Sequence, residues 1–137
     1  MRFMILVKAS KDSEAGVMPS EEMLTAMADY HEQLAKAGVL LDGNGLHPSS
    51  KAWRFTWSGG KKAYTDGPFT EVKELVAGYT IIQAKSREEA IEWTKRFPNP
   101  SIDGGKAQIE VREFFELEDF APSKELERFE KIGLGKK

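Results

Sequence analysis

Apolar positions in this chain alternate between short unbroken runs and helical spacings. Phe3 to Val7 is an uninterrupted apolar run with β-branched members, and residues 2–9 around it predict a strand. A loop with Gly16 and Pro19 follows. Met23, Met27, Tyr30 and Leu34 then recur at helical spacing. Ser20 is suited to cap that helix, Glu21 and Glu22 complement its positive end, and Gly38 suits a left-handed exit. Val39 to Leu41 predicts a second strand running into the loop G-N-G-L-H-P-S-S. Ala52 to Trp57 and Lys62 to Thr65 predict a hairpin around Ser58-Gly59-Gly60. After a break at Gly67-Pro68 come a short helical stretch, Glu71 to Leu75, and a strand, Gly78 to Ala84. Ser86 and Glu89 have capping-box spacing before a helix whose apolar side is Ala90, Ile91, Trp93, Thr94 and Phe97, and Pro98 stops it. Gln108 to Phe115 is the last core strand. Pro122 and Ser123 introduce a terminal helix striped by Leu126, Phe129 and Ile132. The order is β-α-β-hairpin-β-α-β, which predicts an α+β fold: an antiparallel sheet with both helices on one face.

Such a sheet has one face its helices do not cover. In the first strand Phe3, Ile5 and Val7 point one way and Met4 and Leu6 the other, and both sets are apolar. A strand with water on one side should alternate apolar with polar, and this one does not. Tyr79 with Ile81, and Ile82 with Ala84, repeat the theme. Burying each large apolar side chain is worth about 1.5–3 kcal/mol, so the spare face calls for a cover. Two sheets packed face to face in a homodimer would provide it, and this is the favoured expectation. The alternative is that the terminal helix folds back, but a three-residue stripe is small for a whole sheet face.

With 137 residues, the chain suits one domain with a sizeable core. The net charge is −2, with cations scattered along the chain and the lysine pairs Lys61-Lys62 and Lys136-Lys137 read as solvated turn or tail. No basic face is legible, so nucleic acid is not an expected partner. The absence of cysteine excludes disulfides, thiol catalysis and thiolate zinc sites. Phe3 to Val7 is too short for a signal-peptide core or a membrane span, so no membrane partner is expected and the cytoplasm is the expected location.

Asp66-Gly67-Pro68-Phe69, followed by Glu71, Lys73-Glu74 and Gly78-Tyr79, closely resembles the signature of the DGPF proteins, within the YCII-related family. Ala37-Gly38-Val39-Leu40, Gly43, Gly45-Leu46, Pro48-Ser49, Glu89-Ala90 and Trp93 agree. The resemblance covers residues 1–115 and leaves 116–137 as a C-terminal extension with an amphipathic helix. It implies a ferredoxin-like βαββαβ fold of the dimeric α+β barrel group. It departs from the family pattern at Val72, Ala77 and Asn44. A His on the first helix, paired with an Asp, is proposed as active in YCII proteins. Its position falls near Met27, a turn before His31, so the pair is not carried over. Genes for DGPF members often lie beside those of extracytoplasmic-function sigma factors, which implies a regulatory partner by association only.

Asp66 is read first as a turn former, bonding backbone N–H groups just beyond itself, and second as a general base at a pocket mouth. His47, in a glycine-bounded loop, is the other catalytic candidate. Lys73, Tyr79, Arg54 and Phe69 are ligand-binding candidates, each with a structural alternative: ion pair, packed Tyr, exposed strand Arg, core plug. Trp53, Phe55 and Trp57 share one strand face, read as core or dimer interface. His31 falls off the apolar stripe and is expected in solvent. Two histidines without carboxylates at ligand spacing give no metal signal, and no cofactor is expected. Two functions stay open. One is a homodimer binding a small polar or anionic molecule, with acid–base chemistry if it is an enzyme. The other is a non-catalytic regulatory module contacting a protein such as a sigma factor.

Overall fold

The computed structural model describes residues 1–135; Lys136 and Lys137, expected as solvated tail, lie outside the described residues. Strand β1 is Arg2–Lys8, and the loop after it holds a short helix, α1, at Lys11–Glu14. Helix α2 spans Glu21–Lys36, with the Ser20 hydroxyl accepting from the Met23 N–H at 3.2 Å and Gly38 at φ 74° just past its end. Strand β2 is Leu40–Gly45, β3 Trp53–Ser58, β4 Lys61–Asp66 and β5 Val76–Gln83. Single 3-10 turns at Ser49–Lys51 and Val72–Glu74 flank the hairpin. Helix α3 is Arg87–Lys95, β6 is Ile109–Glu113, and α4 is Lys124–Lys131.

Four strands form one antiparallel sheet in the order β2-β5-β1-β6. With α2 and α3 on one side, this is the ferredoxin-like α+β arrangement expected from the chain order. Phe3 and Ile5 of β1 and Ile82 of β5 meet Tyr30 and Leu34 of α2 and Ala90 of α3 in the core. Ile5, Leu34 and Ile82 are fully buried. On the other sheet face Met4 pairs with Ile81 and Leu6 with Tyr79, all half-buried. Asp42 and Asn44 of β2 and Glu110 and Arg112 of β6 flank this apolar strip.

The structure departs from the sequence reading in several places. Strand β2 continues through Asp42-Gly43-Asn44-Gly45, residues that disfavour strands, because β5 offers a long partner edge and pairing with it outweighs local propensity. The hairpin is a separate two-stranded sheet, turned at Gly59 and Gly60, both with positive φ. Every residue of β3 and β4 is exposed, so Trp53, Phe55 and Trp57 are not core of this chain. Ile91, placed on the apolar side of α3, is 40% exposed because α3 turns Ala90 toward the sheet instead. The Glu89 carboxylate accepts from the Lys85 N–H rather than from that of Ser86, while Ser86 caps as expected.

Candidate functional site

A cavity of about 730 Å³ lies between α2, the β2–β5 half of the sheet and the loop after α3. Its apolar walls come from Val17, Met18, Met23, Met27, Leu46 and Phe97, among others. Glycines make the floor. Gly43 pairs with Thr80 and Gly45 with Gly78, so all four face α2, and a Cβ at Gly45 would meet no atom within 4 Å. At Gly43, Gly45 and Gly78 the sheet carries no side chain into the cavity. Among the described residues lining it, none is Lys, Arg, Asp or Glu.

His31 gives this space its chemistry. It stands one helical turn after Met27, on the row Met23–Met27–His31. Its Nδ1 lies 2.7 Å from the Met27 carbonyl oxygen and its Nε2 2.8 Å from Thr80 Oγ1. A carbonyl only accepts, so Nδ1 carries the proton and the lone pair of neutral His31 sits on Nε2, where the Thr80 hydroxyl donates to it. The imidazole is thereby oriented with its basic nitrogen toward the sheet. His31 is half-buried, not solvated: a helix row slightly rotated from the Tyr30–Leu34 row still faces the sheet.

The Asp66–Phe69 turn is built differently. Ser49 is 6% exposed and joins three segments. Its N–H donates to Glu14 Oε2 of α1 at 2.9 Å, its hydroxyl donates to Glu14 Oε1, and it accepts from the Phe69 N–H at 3.0 Å. The Gly67 N–H donates to the Ala52 carbonyl at 2.9 Å. A Cβ at Gly67 would lie 1.8 Å from the Ser49 carbonyl oxygen, so only glycine fits. The Gly67–Pro68 peptide is cis. This turn seals the base of the hairpin against the 49–51 turn.

Residues 1–115 match the YCII-related domain. The chain belongs to the YCII-related family. An uncharacterized protein of Rhizobium meliloti (strain 1021) is 26% identical over 89 residues, which are 65% of this YCII-related chain and 72% of that relative. Among solved structures, the 5-chloro-2-hydroxyhydroquinone dehydrochlorinase TftG of Burkholderia phenoliruptrix AC1100, in complex with 2,5-dihydroxybenzoquinone, is similar. That likeness has a TM-score of 0.45 at 17% identity and covers 85% of this chain and 95% of that one.

Within this YCII-related domain the candidate residues separate into two groups. His47 and Tyr79 line the cavity. The Tyr79 ring stands on the far sheet face, where its hydroxyl donates to Asp42 Oδ2 at 3.2 Å and accepts from Asn44 Nδ2 at 3.0 Å. Asp66, Arg54, Phe69 and Lys73 lie outside the lining. The Arg54 guanidinium stacks 3.6 Å from the Phe69 ring centroid. Asp66 is exposed and its Oδ1 accepts from the Tyr64 hydroxyl at 2.5 Å, where an Asx turn was expected. That bond pushes the Tyr64 hydroxyl pKa above its ordinary value. Sequence reasoning missed His31, Thr80, Gly43 and Gly45 as cavity residues. The spacing of four from Met27 to His31 was the available signal. Among the described residues, no group of three or more His, Asp or Glu is gathered to hold a metal ion, and no helix is long and apolar enough to cross a membrane.

Proposed function

We propose that this YCII-related protein binds a small, uncharged and largely apolar molecule in the cavity beneath α2, with His31 as the group that takes and returns a proton. The observation that carries this is an apolar cavity with no charged side chain and one imidazole held by hydrogen bonds at both nitrogens. Sequence reading left the ligand polar or anionic. An anion would lose its hydration with no cation in the lining to replace it, which costs several kcal/mol, so the uncharged choice is favoured. A hydroxyl or an enolisable carbonyl that takes the place of the Thr80 hydroxyl at Nε2 meets its lone pair. Proton abstraction there makes imidazolium and an enolate or phenolate; return of the same proton to a different atom is an isomerisation. His47 is a second imidazole at the same lining.

Thermal-shift measurements against neutral phenols and cyclic ketones, with carboxylates and sugar phosphates alongside, test this. The neutral class should stabilise the wild type, and His31→Gln should weaken that effect. Stabilisation by the anionic classes alone would overturn it.

The same reading takes the working form as a homodimer whose partner covers the Met4, Leu6 and Ile81 strip. A regulatory module contacting a protein such as a sigma factor is the second reading. It draws on the terminal helix, where Phe129 is 45% and Ile132 73% exposed. A chain ending at Glu116 would lose such a partner and keep ligand binding.

A further inference from the structure

The β3–β4 hairpin stands apart from the main sheet with both faces in solvent. Its register puts Trp53, Phe55 and Trp57 opposite Asp66, Tyr64 and Lys62, on one face. Those rings are 60%, 48% and 72% exposed, and Tyr64 is 56% exposed. They are ordered against one another: Phe55 and Tyr64 centroids are 5.4 Å apart, and Lys62 Nζ lies 5.4 Å from the Phe55 centroid. A two-stranded hairpin alone is marginally stable in water, so a bare aromatic face of this size calls for a cover. Residues 51–66 also carry Lys51, Arg54, Lys61 and Lys62 against the one carboxylate of Asp66, so the hairpin is net basic; Lys62 and Asp66 share the aromatic face, and Arg54 and Lys61 lie on the other.

A surface of opposite character follows β6. Residues 113–120 hold Glu113, Glu116, Glu118 and Asp119 and no cation. Phe115 is 75% and Phe120 49% exposed, and their ring centroids are 5.2 Å apart. Arg2 holds Glu116 with a 2.6 Å ion pair, so this segment is fixed in place before any partner arrives. The hairpin leaves from β2, one edge of the sheet, and the acidic segment leaves from β6, the opposite edge.

We propose that the aromatic face of this net-basic hairpin docks on the acidic, phenylalanine-bearing segment 113–120 of a second copy of this chain. Both patches are aromatic, and the net positive charge of the hairpin as a whole complements the negative charge of segment 113–120. A two-fold axis makes the same contact twice, so the gain is doubled without any further sequence requirement. The inference rests on the homodimer reading and adds to it the surfaces that select the partner.

The test is sedimentation velocity of the full chain across protein and salt concentration, on wild type, Lys61→Glu/Lys62→Glu, Glu113→Lys/Glu118→Lys, and all four together. These residues are exposed, and circular dichroism confirms folding of each variant. Each reversal should raise the dimer dissociation constant about tenfold, and the fourfold variant should return most of it. Tryptophan emission of the wild type should shift to the blue as the dimer forms, because Trp53 and Trp57 leave water. A wild-type dimer indifferent to every reversal would overturn the docking and leave the sheet-face dimer standing. A wild type that stays monomeric would overturn both. Retention on single-stranded DNA or an acidic protein without self-association would assign the face to that other partner and equally overturn the proposal.

Discussion

Gly45 and Gly67 carry the same side chain, a hydrogen, for opposite reasons. A Cβ at Gly45 enters open cavity, whereas one at Gly67 runs into the Ser49 carbonyl. Gly45→Leu should therefore leave the melting temperature nearly unchanged and abolish ligand-induced thermal shifts. Gly67→Ala should lower stability by about 2 kcal/mol or more, since the backbone must move to relieve the overlap. Denaturant melts with and without ligand separate the two. In the sequence both are glycines among the signature residues, and a break is predicted at Gly67-Pro68. Nothing local distinguished a floor glycine from a turn glycine, because the distinction lies in which strand pairs with it. Asp66 shows the converse. Its place in the motif drew attention, while its partner, the Tyr64 hydroxyl, is set by the strand pleat that aims i and i+2 the same way.

Among elements, the chain's punctuation was legible. Ser20, Ser86 and Ser123 each cap the helix they were expected to begin, accepting from Met23, Glu89 and Glu125 N–H groups. Strand β1 and helix α2 fall where period and composition place them. The connections between elements were not legible. Helix α1 lay unread in a loop, yet its Glu14 binds Ser49 and so ties β1's exit to the hairpin base and the 67–69 turn. Ser49→Ala should destabilise by about 1–3 kcal/mol, because it strands the Phe69 N–H and part of the Glu14 carboxylate in a half-dry site. Faster hydrogen exchange at the Phe69 amide than at core amides of β5 is the matching local readout. Exchange at Phe69 unchanged from wild type would show the clamp to be unimportant.

For the whole molecule, the core beneath α2 and α3 decides stability, and Tyr30 reports on it. Tyr30 is 3% exposed and its hydroxyl donates to the Trp93 carbonyl at 2.8 Å. Burial pushes its pKa up to about 12, with Arg96 pulling the other way. The folded value is raised above the unfolded one, so this contribution is intact below about pH 10 and is lost as pH climbs toward 12. Chemical melts at rising pH should show that loss, and Tyr30→Phe should flatten it. The chain order of the strands and of helices α2, α3 and α4, the caps, the sheet's two apolar faces and the family signature all follow from the sequence alone, because each depends on residues close together in the chain or on a fixed period. The cavity, the role of His31 and the exposure of the hairpin were decided only by tertiary structure. Each depends on what lies across from a residue: Thr80 across from His31, Gly78 across from Gly45, and, among the described residues, no covering element across from Trp57. A linear pattern says which way a side chain points along its own element, and only packing says what it meets there.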